Sequence, residues 1–315
     1  MNILITGATG FIGRRLVEDI SMKEGYKIYC LVRHTSRIDA LKKYNVKFIN
    51  ADIGDYGSLK RNVPEQIDIV YHLAGYVKNN DLRKLHEVNV VGTENISRLS
   101  YDLKVRQMVY TSSVAVVSGN PDVPLVEDMP FKATNVYGQS KIEAEKKVLA
   151  YRRKGLKAAI FRPCMIYGED EPHLLGLIIR LLKYGLLPVF RAGSNKLHLG
   201  YVGNVCNALI YSLGRHEFME GAFFIADTEV LTVREILDIL VDEIGARPPL
   251  VISGGITNLF VRLPYLGKIV KFSLKDRIYS MKRILGTGYR TAFRAEPSLR
   301  SSARSFVEKK QKGSR

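Results

Sequence analysis

Short apolar runs and amphipathic stretches alternate along the first half of the chain. Residues 3–6, 27–32, 46–50, 67–73, 107–112 and 156–162 each read as a strand buried on both faces. Between them, residues 11–20 place Leu16, Val17 and Ile20 at helical spacing, residues 38–44 suggest a short helix, and 82–103 a long one. A Glu- and Lys-rich segment at 137–151 reads as a further helix. This alternation predicts an α/β, doubly wound parallel sheet, the Rossmann fold, with right-handed crossovers over about residues 1–165. Further core elements are expected at about 198–226, with a short strand at 222–225. Residues 166–315 otherwise read as a smaller, discontinuous C-terminal substrate lobe, with helices near 174–184, 202–214 and 233–244. No internal repeat interrupts the pattern.

Composition narrows the class. The chain has 315 residues, 46% hydrophobic and 25% charged, which excludes wholesale disorder. Its three cysteines, Cys30, Cys164 and Cys206, are too far apart for a zinc module or a disulfide framework. The start of the sequence runs straight into a strand and lacks the basic and apolar regions of a signal peptide, so a cytoplasmic protein is expected. Of the net charge of +17, +12 lies in the last 65 residues, where fifteen Lys and Arg meet only Asp276, Glu296 and Glu308. That localisation, without a reader motif, argues against nucleic acid as a partner.

Candidate chemistry begins at Thr6-Gly7-Ala8-Thr9-Gly10-Phe11-Ile12-Gly13, between the first strand and the first helix. Gly7 permits the sharp turn, Gly10 lets backbone N–H groups approach a pyrophosphate, and Gly13 lets the helix lie close to the sheet. Phe11 and Ile12 fall in the first turn, where free N–H groups and the helix dipole favour an anion. An acidic residue at the end of the second strand would bind a ribose 2′-hydroxyl; this chain instead reads Leu31-Val32-Arg33-His34. Arg33 suits a 2′-phosphate, so NADP is favoured over NAD. Asp52 and Ile53 after the third strand would hold the adenine, and Leu73-Ala74-Gly75 would let the backbone pass close to the cofactor.

Tyr137 and Lys141 stand four apart on one helix face. A phenol ionises near pH 10 and is a poor base at neutrality, and a nearby ammonium would favour its phenolate form. Tyr110-Thr111-Ser112-Ser113, closing the fifth strand, supplies a hydroxyl to hold a carbonyl or carbinol oxygen beside that tyrosine.

Taken in order, TGATGFIG, HLAG (72–75), VNVVGTEN (88–95), YTSS, YGQSK and RPCMIYGE (162–169) resemble the extended short-chain dehydrogenase/reductase superfamily, the NAD-dependent epimerase/dehydratase family. The resemblance covers about residues 1–245. It implies that Ser113, Tyr137 and Lys141 are the catalytic triad and that the strand order is 3-2-1-4-5-6. It adds Pro163 to the cofactor-binding set, makes Asn89 a supporting polar residue and leaves His72 structural.

Departures from the family pattern narrow the reaction. Sugar-nucleotide dehydratases of the family place an acidic pair after the catalytic hydroxyl, where this chain has Val114 and Ala115. Met165 stands in a segment that often carries an Asn reaching the diphosphate, and 195–200 lacks the usual Arg. Residues 166–169 and 201–205 instead resemble the 3β-hydroxysteroid and sterol dehydrogenase branch. The expectation is hydride transfer between nicotinamide and a carbinol or ketone on a hydrophobic, sterol- or isoprenoid-like small molecule. A nucleotide-sugar epimerase with tightly bound NAD and a non-catalytic cofactor-binding scaffold are the alternatives. Residues 248–285 join an uncharged stretch, 248–261, to interleaved cations and apolar side chains, a pattern for peripheral membrane contact or for capping the substrate cleft. A homodimer is expected by analogy with the family, and 308–312 as the start of a frayed polar tail.

Overall fold

The computed structural model describes residues 1–172, 174–253, 255 and 274–312. Strands β1 (Asn2–Thr6), β2 (Lys27–Val32), β3 (Val46–Asn50), β4 (Ile69–His72), β5 (Gln107–Thr111) and β6 (Ala158–Pro163) alternate with helices, as the hydrophobic pattern predicts. Four short strands, β7 (Met165–Tyr167), β8 (Pro188–Phe190), β9 (Lys196–Leu197) and β10 (Leu199–Tyr201), precede β11 (Ala222–Ile225). The main sheet is parallel throughout, in the order β11-β6-β5-β4-β1-β2-β3. It extends the expected order by one strand at the β6 edge. Both faces are covered, so β1, β4, β5 and β6 are buried along their whole length apart from the first residue of β1.

Helix α1 (Phe11–Ser21) buries Gly13, Leu16, Val17 and Ile20 against the sheet. Helix α2 (Tyr56–Asn62), capped by Asp55, was not visible in the apolar pattern because Leu59 is its one buried residue. The stretch expected as one helix over 82–103 has three parts: α3 (Leu82–Leu85), a π-helical turn at His86–Val91, and α4 (Gly92–Asp102). The wide turn contains buried Asn89, whose Nδ2 donates to Tyr76 O and Ser140 Oγ, both at 2.9 Å. The helix expected at 38–44 is a single 3₁₀ turn, Asp39–Leu41.

Helix α5 (Val136–Arg152) begins at Asn135, whose side chain accepts from Gly138 N–H at 2.8 Å. Helices α6 (Leu175–Lys183), α7 (Val202–Tyr211) and α8 (Val233–Ile244) follow the expected segments. After α9 (Lys282–Gly286), helix α10 (Ala295–Lys312) packs against α8 and α6. Residues 308–312, expected to begin a frayed tail, instead form the last turn of α10, which buries Leu299, Ser302 and Ala303 farther back. Most of the cationic and apolar side chains singled out in 248–285 lie outside the described residues. Among the described residues, no helix is long and apolar enough to cross a membrane.

Candidate active site

The sheet order reverses between β1 and β4, so the loops after these strands diverge and leave a crevice at their carboxyl ends. Gly7 opens it in the left-handed region at φ 71°; a Cβ there would lie 2.6 Å from Ala74 N. A Cβ on Gly13 would lie 2.1 Å from Gly7 O, so the turn and the start of α1 close only on glycine. Two cavities share Gly7, Gly10, Leu73 and Gly75 as their common border.

The first, of about 890 Å³, is bordered by Arg33, Ser36, Asp52, Ile53 and Ala74. Asp52 Oδ1 accepts from Gly54 N–H at 2.8 Å, and Arg33 N–H donates to Ser36 Oγ at 3.0 Å. The second, of about 640 Å³, contains Phe11, Ile12, Gly13, Ser113, Tyr137, Lys141 and Pro163. Every residue expected from the sequence to touch cofactor or substrate therefore borders one of two adjoining cavities. Beyond Tyr137 the second cavity continues as an aliphatic chamber walled by Ile178 of α6, Leu197 of β9, Ile236 and Leu240 of α8, and Leu299 of α10. None of these five was named from the sequence; they come from elements far apart in the chain.

The electrostatics differ from the simple tyrosine–ammonium picture. Lys141 is 4% exposed, and its Nζ donates to Thr111 O at 3.0 Å and to Tyr110 Oη at 3.3 Å. Burial pulls its ammonium down to about 8, opposed by the charge of Glu145. Burial pushes the Tyr137 phenol up, and the effect opposing it comes from the Ser113 hydroxyl. Lys141 thus shares a helix face with Tyr137, as expected, but is engaged with the end of β5. Tyr110 was visible in the YTSS motif; its role as a partner of Lys141 was not.

Behind Lys141, His72 is fully buried, with Nδ1 at 2.7 Å from Thr6 Oγ1 and Nε2 at 3.0 Å from Thr93 Oγ1. Burial, with the Lys141 charge adding to it, drives its imidazolium down to about 3, so it is neutral. That accords with the structural role expected for it.

A dinucleotide fits this crevice on two observations. The glycine turn leaves no room for a Cβ against the neighbouring backbone, and with the N-terminus of α1 it borders the same open space, where a pyrophosphate would meet free N–H groups. Thr111 Oγ1, buried where Lys141 meets β5, has no hydrogen-bond partner among the described residues. Among these residues there is also no cluster of His, Cys, Asp or Glu suited to a metal ion.

Fold and crevice together define a nucleotide-binding α/β enzyme in which Ser113, Tyr137 and Lys141 line one cavity. Residues 3–225 match the NAD dependent epimerase/dehydratase family, and the chain belongs to it. Sterol demethylase protein B of Methylococcus capsulatus is 29% identical over 260 residues, covering 80% of this chain and 77% of that protein. The 2-alkyl-3-oxoalkanoate reductase of Stenotrophomonas maltophilia is 27% identical over 321 residues, covering 94% and 88%. The solved structure of Thermus thermophilus UDP-glucose 4-epimerase in complex with NAD superposes with a TM-score of 0.78 at 23% identity, covering 98% of this chain and 99% of that one.

Proposed function

We propose that this enzyme transfers hydride between a nicotinamide cofactor, NADP in preference to NAD, and a carbinol or ketone carbon on a hydrophobic, sterol- or isoprenoid-like substrate. The observation that carries the reading is the aliphatic chamber. Among the described residues that line it, Lys141 is the only cation, and it sits at the cofactor end. A nucleotide sugar would bring a diphosphate into the same space, and an anion of that charge needs paired donors. Leu197, Ile236, Leu240 and Leu299 offer none. The names of two relatives, a sterol demethylase protein and a 2-alkyl-3-oxoalkanoate reductase, point the same way.

The cofactor supplies or accepts the hydride. Ser113 holds the substrate oxygen by hydrogen bonding. Tyr137 donates a proton to that oxygen in reduction and takes it back in oxidation, while Lys141 binds the ribose and keeps positive charge at the base of the site. Arg33 on the rim of the larger cavity pairs with a 2′-phosphate.

The test is absorbance at the reduced-nicotinamide band, with NADP and NAD, over hydrophobic ketones and alcohols and over UDP-sugars. Turnover with the apolar panel is expected. Purified protein that retains NAD and interconverts UDP-sugars without net redox would establish the epimerase alternative instead. Cofactor binding with no turnover on either panel would leave a scaffold.

A further inference from the structure

Beneath the Ser113, Tyr137 and Lys141 group lies a pair of opposite charges that the chemistry above does not use. Glu145 is fully buried on α5, one turn beyond Lys141 and two beyond Tyr137. Its Oε1 accepts from Ser112 Oγ at 2.5 Å and from Arg162 Nε at 2.9 Å, and its Oε2 accepts from Arg162 Nη2 at 2.7 Å. Arg162, 4% exposed, also donates from Nη1 to Glu127 O at 2.7 Å. Glu127 Oε1 accepts from Phe224 N–H on β11 at 2.9 Å.

Stability is a weak reason for such a pair, because removing two charges from water costs about as much as their attraction returns. Position is a better one. Ser112 adjoins Ser113 at the end of β5, Arg162 adjoins Pro163 at the end of β6, and Glu145 shares the helix that carries Tyr137 and Lys141. Three walls of the smaller cavity meet on one carboxylate.

Its charge also matters to Lys141. The titratable groups that interact with that ammonium are Tyr110 from β5, neutral His72 from β4 and Glu145 from α5. Glu145 is the one anion among them.

We propose that Glu145, locked in place by Arg162, is a positioning residue that fixes the Ser112–Ser113 strand end against α5 and keeps Lys141 in its ammonium form. The turnover part rests on the hydride-transfer reading; the cofactor-binding part does not. The experiment is a fluorescence titration of NADPH binding across pH, with turnover measured alongside, for wild type, Glu145→Gln and Ser112→Ala.

Wild-type affinity should fall as pH rises through about 8, where Lys141 loses its proton. In Glu145→Gln that midpoint should move down by about one pH unit, a tenfold change in the ammonium-to-amine ratio, with low-pH affinity retained. In Ser112→Ala the midpoint should stay and turnover should drop about tenfold to a hundredfold, the scale of a misplaced reacting group. A Glu145→Gln midpoint equal to wild type, or unaltered turnover in Ser112→Ala, would overturn the proposal. If Glu145→Gln fails to fold because Arg162 is left unpaired, Glu145→Gln combined with Arg162→Gln gives the same reading of the midpoint. A wild type without turnover would count against hydride transfer, and the binding midpoint would still decide the role of Glu145.

Discussion

Replacing Lys141 by Met should make stability less dependent on pH, by an amount the structure sets. Burial lowers the Lys141 ammonium from an ordinary 10.5 to about 8. Each pH unit of such a change is worth about 1.4 kcal/mol, so holding the charged form inside the protein costs about 3 kcal/mol. Below pH 8 the folded and unfolded chains both carry the proton, and the cost applies in full. Between pH 8 and 10.5 the unfolded chain binds a proton that the folded chain does not, so stability rises with pH. From pH 7 to pH 9.5 the gain from this one group is about 2 kcal/mol. Urea unfolding of wild type and Lys141→Met at both pH values isolates it, since tyrosines and cysteines that titrate nearby cancel in the difference. The wild type should gain about 2 kcal/mol more than the variant over that interval. Equal gains in the two proteins would mean that Lys141 is not held in the low-dielectric position described.

Tyr137→Phe should lower turnover at least about 100-fold while leaving NADPH affinity within a few-fold, since the hydroxyl is needed for proton transfer; steady-state rates and fluorescence titration measure the two effects. Arg33→Ala should weaken NADPH binding about tenfold and leave NADH binding unchanged, because only the former carries the 2′-phosphate; equal losses for both cofactors would remove Arg33 as the selector. Thr111→Val deletes a buried hydroxyl with no partner among the described residues and should stabilise the free protein by about 1 kcal/mol. If that hydroxyl meets the cofactor, the rise in Tm on adding NADPH should be smaller in the variant than in wild type.

What could be read from the sequence was whatever local spacing encodes. The glycine turn, the Tyr137–Lys141 pair and the strand-end YTSS each lie within eight residues, and a parallel sheet buried on both faces announces itself as repeated apolar runs. The π-helical turn around Asn89 was hidden because its residues fit an ordinary helical pattern equally well. Helix α10 was hidden by its many charges, which cover a narrow buried stripe. Glu145 stands at a legible interval from Tyr137 and Lys141, yet its meaning depends on Arg162, which comes from another strand. The chamber walls were beyond reach for the same reason: Leu197, Ile236, Leu240 and Leu299 are spread over about a third of the chain and converge only when the lobe folds over the sheet.

One group of buried polar side chains lies between the end of β5 and the inner face of α5. Apart from Thr6, His72 and Arg162, the buried side chains of β1, β4 and β6 are aliphatic and aromatic or the ring of Pro163. Within that polar group the chain buries a lysine, an ion pair, a raised phenol and an orphaned hydroxyl on adjoining elements. Apolar side chains of similar volume at Lys141, Glu145 and Arg162 would be at least as stable. A dinucleotide in the crevice would change that balance for two of these groups if its ribose gave the Lys141 ammonium a partner beyond Thr111 O and Tyr110 Oη and a polar atom of it met Thr111 Oγ1. The same groups that weaken the free protein would then tighten the complex, a trade of stability for binding at one site.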